Sequence, residues 1–121
     1  TEVGGWIGTP EYMSPEQASG KPVADPRSDV YSLGATLYEL LVRRPAVPGR
    51  DRQECLRQIL EGEPVPPRRI SKAVPAELET ITMKAMARSP EDRYATAGEL
   101  ADDLRRFLAD QAIKARPPGL W

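Results

Sequence analysis

Gly8-Thr9-Pro10-Glu11-Tyr12-Met13-Ser14-Pro15-Glu16, and a little further on Ser28-Asp29-Val30-Tyr31-Ser32-Leu33-Gly34, are the two stretches whose reading decides the fold. Around the first, glycines and Pro10 leave residues 1–13 without periodicity, which predicts loop. Ser14 then supplies a cap, Pro15 a first helical position and Glu16 an acid in the first turn, so a short helix starts there and ends at Gly20. The second stretch heads a helix from Ser28 to about Val42. Val30, Leu33, Leu37, Leu40 and Leu41 are backed by Tyr31, Ala35, Tyr38 and Val42 on the other faces. A helix apolar nearly all round is a buried one.

Outward from that helix, Lys21 to Arg27 reads as a loop set by Pro22 and Pro26, and Pro45 and Pro48 break the pattern on the other side. Cys55, Leu56, Ile59 and Leu60 stripe one face of a helix between about Asp51 and Glu61, closed by Gly62. Pro64, Pro66 and Pro67 predict an extended connection. Pro75 opens a helix carrying Leu78, Ile81, Thr82, Ala85 and Met86, which Ser89-Pro90 stops. Thr96 and Glu99 form a T-x-x-E capping box before a last helix striped by Ala97, Leu100, Ala101, Leu104, Phe107 and Leu108. The expectation is mainly α, about five helices and no substantial sheet.

Composition narrows the chemistry. With 121 residues, 40% hydrophobic and 29% charged, the chain reads as one soluble globular domain or part of one. Its formal net charge of -1 gives no reason to expect nucleic acid as a partner. The single cysteine excludes an internal disulfide and multi-cysteine zinc sites, and Cys55 beside Leu56 reads as packing. Having no histidine removes the commonest general base, the serine-histidine triad and paired-histidine metal motifs. No metal-binding set is expected. The most apolar run, Leu33 to Val42, is too short to span a bilayer and contains Glu39, and with Thr1 at its start the chain reads as a truncated or excised coding region.

Together the two opening stretches resemble serine/threonine protein kinases of the bacterial, eukaryotic-like type, from the activation segment onward. Gly8-Thr9-x-x-Tyr12 stands where such kinases dock the substrate chain, and Ser14-Pro15-Glu16 matches the [A/S]-P-E triplet that anchors the segment. Taken alone, the first could be an ordinary proline-rich turn. Asp29-Val30-Tyr31-Ser32-Leu33-Gly34 is similar to the family's D-x-W-S-x-G, with Tyr31 in place of tryptophan. Ser89-Pro90-Glu91-Asp92-Arg93 is similar to its D-P-x-x-R loop, with Ser89 in place of aspartate. The implied fold is the lower helical part of the kinase large lobe, residues 1–109, followed by a juxtamembrane-like linker over 110–121, where Ile113-Lys114-Ala115-Arg116-Pro117 leads to Trp121.

The resemblance implies roles for particular residues. Thr9 would hold the catalytic Asp and Lys in register, and Pro10, Tyr12 and Met13 would line the substrate-docking wall. A tyrosine kinase would carry a tryptophan-containing loop here, so serine or threonine acceptors are expected. Asp29 would accept hydrogen bonds from the catalytic loop, or serve only the helix dipole. Gly34 would let another backbone approach, or be tolerated at about 1 kcal/mol relative to alanine. Arg93 would form a buried bidentate ion pair with Glu16, against a plain surface arginine as the alternative. Thr1 would be an activation-loop phosphosite, or a linker threonine.

Equally informative is what phosphoryl transfer needs and the sequence lacks: a Gly-rich phosphate loop, the strand Lys, the H-R-D loop and the D-F-G Asp. ATP and magnesium are therefore expected in the intact enzyme, bound by none of these residues, and this piece alone is expected to be inactive. Its partners would be protein substrates, docking on 9–13 and on the helix around Asp51 to Glu61, and the missing N-terminal half. That half's absence would leave an apolar patch on the buried helix and marginal stability. A cytoplasmic location is expected, with a membrane helix downstream in the intact protein. The alternative is a non-catalytic helical interaction module, a pseudokinase remnant.

Overall fold

Seventeen residues of one helix organise the chain. A computed structural model describes residues 10–21 and 25–117, and places them in six α-helices and two short 3-10 turns with no strand among the described residues. The helices are α1 (Pro15–Ala18), α2 (Pro26–Val42), α3 (Arg52–Glu61), α4 (Pro67–Ile70), α5 (Ala76–Ala85) and α6 (Ala97–Leu108), and the 3-10 turns are Pro10–Tyr12 and Pro90–Asp92. The mainly helical reading holds, with local differences.

α2 starts at Pro26, not Ser28, because Asp25 caps it by accepting the Arg27 N–H at 2.8 Å and Pro26 takes the first helical position. α4 is a helical turn where the prolines predicted extended chain; Pro67 sits at its first position, where a missing N–H costs nothing. α3 ends without a left-handed glycine, since Gly62 is extended and its N–H donates to the Gln58 carbonyl at 2.8 Å. The α1 cap is fuller than expected. Ser14 Oγ accepts from Gln17 N and Gln17 Oε1 accepts from Ser14 N, a reciprocal capping box. In α6 the box is offset, with Glu99 reaching the Ala95 N–H.

Two apolar clusters meet on α2. One gathers Tyr31, Ala35, Tyr38, Ala46, Val47, Cys55, Ile59 and Met86 between α2 and α3. The other gathers Val30, Ile81, Ala85, Tyr94, Leu100 and Ala115 between α2, α5 and α6. α2 and α5 approach closely at Gly34: a Cβ there would lie 2.8 Å from both Ala85 Cβ and Met86 Cγ, so the glycine is what lets the helices touch. Buried hydroxyls are satisfied, locally in Thr82 Oγ1 donating to Leu78 O and across the fold in Tyr38 donating to Val65 O, and no buried side-chain polar atom lacks a partner among the described residues.

α2 is not buried all round. Leu33 and Leu40 lie on one face of it and are 45% and 74% exposed, with exposed Asp29 and Thr36 beside them. No helix of the described residues is long and apolar enough to cross a membrane.

Candidate functional site

Residues 10–16 form a short irregular segment that the rest of the fold grips from below. The Pro10–Tyr12 turn packs on α2 and α3, and Tyr12 and Met13 pack against the first apolar cluster. Ser32, on the second turn of α2, donates its hydroxyl to the Tyr12 carbonyl at 2.6 Å. About two helix turns later, Glu39 accepts the Tyr12 hydroxyl at 2.5 Å, and that carboxylate together with burial raises the phenol above its ordinary value. Backbone and side chain of Tyr12 are thus fixed to a single helix.

The segment's far end is fixed by Glu16. Arg93 Nη1 donates to Glu16 Oε2 at 2.6 Å and Nη2 to Oε1 at 2.9 Å, a two-pronged pair in which the Arg93 side chain has no exposure and Glu16 only 13%. Ser28 Oγ adds a third bond to Glu16 Oε2 at 2.7 Å. Burial alone would push the Glu16 carboxyl up, but the bonds from Arg93 and Ser28 outweigh it and hold it down to about 2.

Every donor of Arg93 is used. Beyond Glu16, Nε reaches Ala87 O at 2.7 Å, Nη1 reaches Arg27 O at 3.0 Å and Nη2 reaches Arg88 O at 3.0 Å, five acceptors for five N–H groups. Its guanidinium also lies over the Tyr31 ring at 5.0 Å. The Tyr31 hydroxyl is pushed up to about 12 by burial.

Of the residues singled out from the sequence, Tyr12 and Glu16 therefore fasten to the face of α2 that carries Ser28, Ser32 and Glu39, with Pro10 and Met13 in the same segment and Arg93 on Glu16, whereas Gly34 faces α5. Asp29 is exposed at the first turn of α2. Thr1 and Thr9 lie outside the described residues. Three participants were missed. Ser28 and Ser32 stand inside a motif read for its Asp and Gly, at the spacing that puts both hydroxyls on one helix face. Glu39 had a clearer signal, as the one carboxylate in the apolar run Leu33 to Val42. Among the described residues, no group of three or more His, Cys, Asp and Glu side chains could hold a metal ion.

Comparison with known proteins extends the geometry. The model of the protein kinase domain matches residues 3–106. Serine/threonine-protein kinase PknB of Mycolicibacterium smegmatis is 45% identical over 115 residues, covering 95% of this chain and 18% of that protein. Tyrosine-protein kinase MasK of Myxococcus xanthus is 46% identical over 99 residues, covering 82% and 15%. Among solved structures, the twitchin kinase region from C. elegans superposes with a TM-score of 0.70 at 24% identity, over 78% of this chain and 17% of that one. The chain spans less than a fifth of the length of these relatives.

Proposed function

The chain belongs to the protein kinase family, and from that premise we propose that it forms the substrate-docking and anchoring base of a serine/threonine protein kinase that moves the γ-phosphate of ATP to protein hydroxyls. The observation that carries this reading is the double fastening of residues 10–16, by Glu39 and Ser32 at Tyr12 and by Arg93 and Ser28 at Glu16. Such a segment is rigid where an incoming peptide would lie, and rigidity there lowers the entropy cost of binding.

The kinase family uses ATP and magnesium. The residues of this chain do not fit either: the sequence has no H-R-D or D-F-G triplet, and no metal-holding group stands among the described residues. No step of the transfer is assigned to these side chains. Their part is to position the acceptor chain with Pro10, Tyr12 and Met13, with Thr9 beside the reacting groups and Asp29 offering its carboxylate to a catalytic loop supplied from upstream. The exposed face of α2, with Leu33 and Leu40, is where that upstream half would pack. Thr1 is proposed as a regulatory phosphosite, and the residues after 109 as the start of a connection to a membrane anchor that keeps the kinase domain in the cytoplasm.

The test is phosphoryl transfer by the intact protein containing these residues, with phosphoamino-acid analysis of the product. Phosphoserine and phosphothreonine are expected. Phosphotyrosine would move the specificity toward that in MasK's name. No transfer at all would favour the alternative, a non-catalytic helical interaction module. Micromolar ATP binding by residues 1–121 alone would overturn the division of labour.

A further inference from the structure

The chain after α6 is seated in the fold. Past Leu108, Asp110 takes a left-handed φ of 59°, and its N–H and that of Gln111 donate to Phe107 O and Arg106 O at 3.1 and 2.8 Å. This turn sends the backbone back toward the middle of α6, where the N–H groups of Lys114 and Ala115 donate to Asp103 at 2.7 and 2.9 Å. Ala115 is buried in the second apolar cluster and Ile113 packs against it. Residues 113–115 are thus a strap laid on the helical base, continuous with the unit that the sequence reading ended at 109.

Asp103 is the buckle of this strap. It has no solvent exposure, and each of its oxygens accepts two bonds: Oδ1 from Lys114 N and from Arg106 Nε at 2.9 Å, Oδ2 from Ala115 N and from the Tyr94 hydroxyl at 2.7 Å. All four partners are donors, so only the ionised carboxylate satisfies them. Tyr94 is itself buried among Val30, Ile81, Ala85, Leu100 and Ala115. Its covalent neighbour is Arg93, all five of whose donors are committed and two of which hold Glu16. A displacement of Tyr94 moves the backbone from which the Glu16 anchor hangs.

We propose that Asp103 is a positioning residue for substrate binding: by clamping the 114–115 backbone to the Tyr94 hydroxyl, it makes seating of the strap set the Arg93–Glu16 anchor and the docking segment. This rests on the reading of residues 10–16 as the substrate-docking segment. With the strap unseated, Oδ1 and Oδ2 each lose a backbone donor, Ala115 leaves the cluster, and one wall of Tyr94 opens. Binding or tension on residues C-terminal to Ala115 therefore reaches the docking segment through Asp103, Tyr94 and Arg93.

The experiment uses the intact protein with three separate changes. Asp103→Asn removes the charge, Ala115→Pro removes one strap donor while leaving every residue of α6 and Tyr94 unchanged, and Tyr94→Phe removes only the hydroxyl. Hydrogen exchange is followed at residues 10–18, alongside KM for protein substrate, KM for ATP and kcat. The expected result is faster exchange at 10–18 in all three variants. Substrate KM should rise on the order of 5- to 50-fold, within the range of ordinary coupling between sites, while kcat and KM for ATP stay within about twofold.

Faster exchange at 113–115 with unchanged exchange at 10–18 and unchanged substrate KM would overturn the proposal. So would a fall in kcat and a rise in both KM values together with a lowered melting temperature, the mark of general loosening. If Asp103→Asn and Ala115→Pro fail to fold, Tyr94→Phe alone decides by the same two outcomes. Should the intact protein transfer no phosphate, the functional reading fails by itself. Exchange at 10–18 then still decides whether the strap positions that segment.

Discussion

Truncating Arg93 to alanine would leave the Glu16 carboxylate, largely buried, without its ionic partner and its two bonds, and would remove the Arg93 N–H groups from three backbone carbonyls. Breaking one side of such a pair costs about 3–5 kcal/mol, so Arg93→Ala in the intact protein should lower the urea midpoint accordingly. Arg93→Lys should recover little of it, because three N–H groups on one nitrogen cannot reach five acceptors in a plane. Acid acts on the same pair. The folded Glu16 carboxyl sits at about 2, below its ordinary value near 4.5, so its contribution is whole above that ordinary value and drains away as pH falls through it toward about 2. About 3 kcal/mol of unfolding free energy should vanish over that window, and Glu16→Gln should flatten the loss in urea titrations run at stepped pH. Asp103 adds to the same acid limb: burial would raise it, but bonds from Lys114, Tyr94, Arg106 and Ala115 hold it below its usual value.

Between elements, the decisive contact is α2 against α5 at Gly34. Alanine is the better helix former by about 1 kcal/mol, yet its Cβ would stand 2.8 Å from Ala85 Cβ, which has no rotamer to give way. Overpacking of that kind costs about 1–3 kcal/mol, so Gly34→Ala should destabilise on balance, read as a lower melting temperature despite the gain in helix propensity. The sequence carried two readings of this glycine, close approach or mere tolerance, and only the position of α5 decides between them. The same limit explains α4 and the early start of α2. Pro67 and Pro26 are chain breakers in a list of residues, and become helix openers once a preceding residue is extended and the next turn has something to pack on. It explains the strap too, since nothing local tells a seated Ile113-Lys114-Ala115 from a passing linker; the signal is the buried Asp103 on another element.

For the whole molecule, α2 is a core helix with one face uncovered. Leu33 and Leu40 on that face leave apolar surface that the described residues do not cover. Residues 1–121 produced alone should bind a hydrophobic dye and self-associate, and the double change Leu33→Ser with Leu40→Ser should reduce both while leaving the melting temperature nearly unchanged. Exposed positions tolerate such changes within about 0.5 kcal/mol, so a large drop in melting temperature would mean that the face is covered in solution.

What the sequence determined by itself is the set of parts: helical periods, caps, the apolar character of α2, and motifs that resemble one family. Such features are local, written in residues a few positions apart. Tertiary structure decided how they combine: that Arg93 uses all five donors, that Tyr31 lies beneath it, that Ser28, Ser32 and Glu39 join the grip on residues 10–16, and that the tail folds back onto Asp103. Those outcomes depend on groups up to 77 residues apart being brought within hydrogen-bond reach. Burial makes such meetings obligatory, because a polar group removed from water must find its partner wherever the fold has put one.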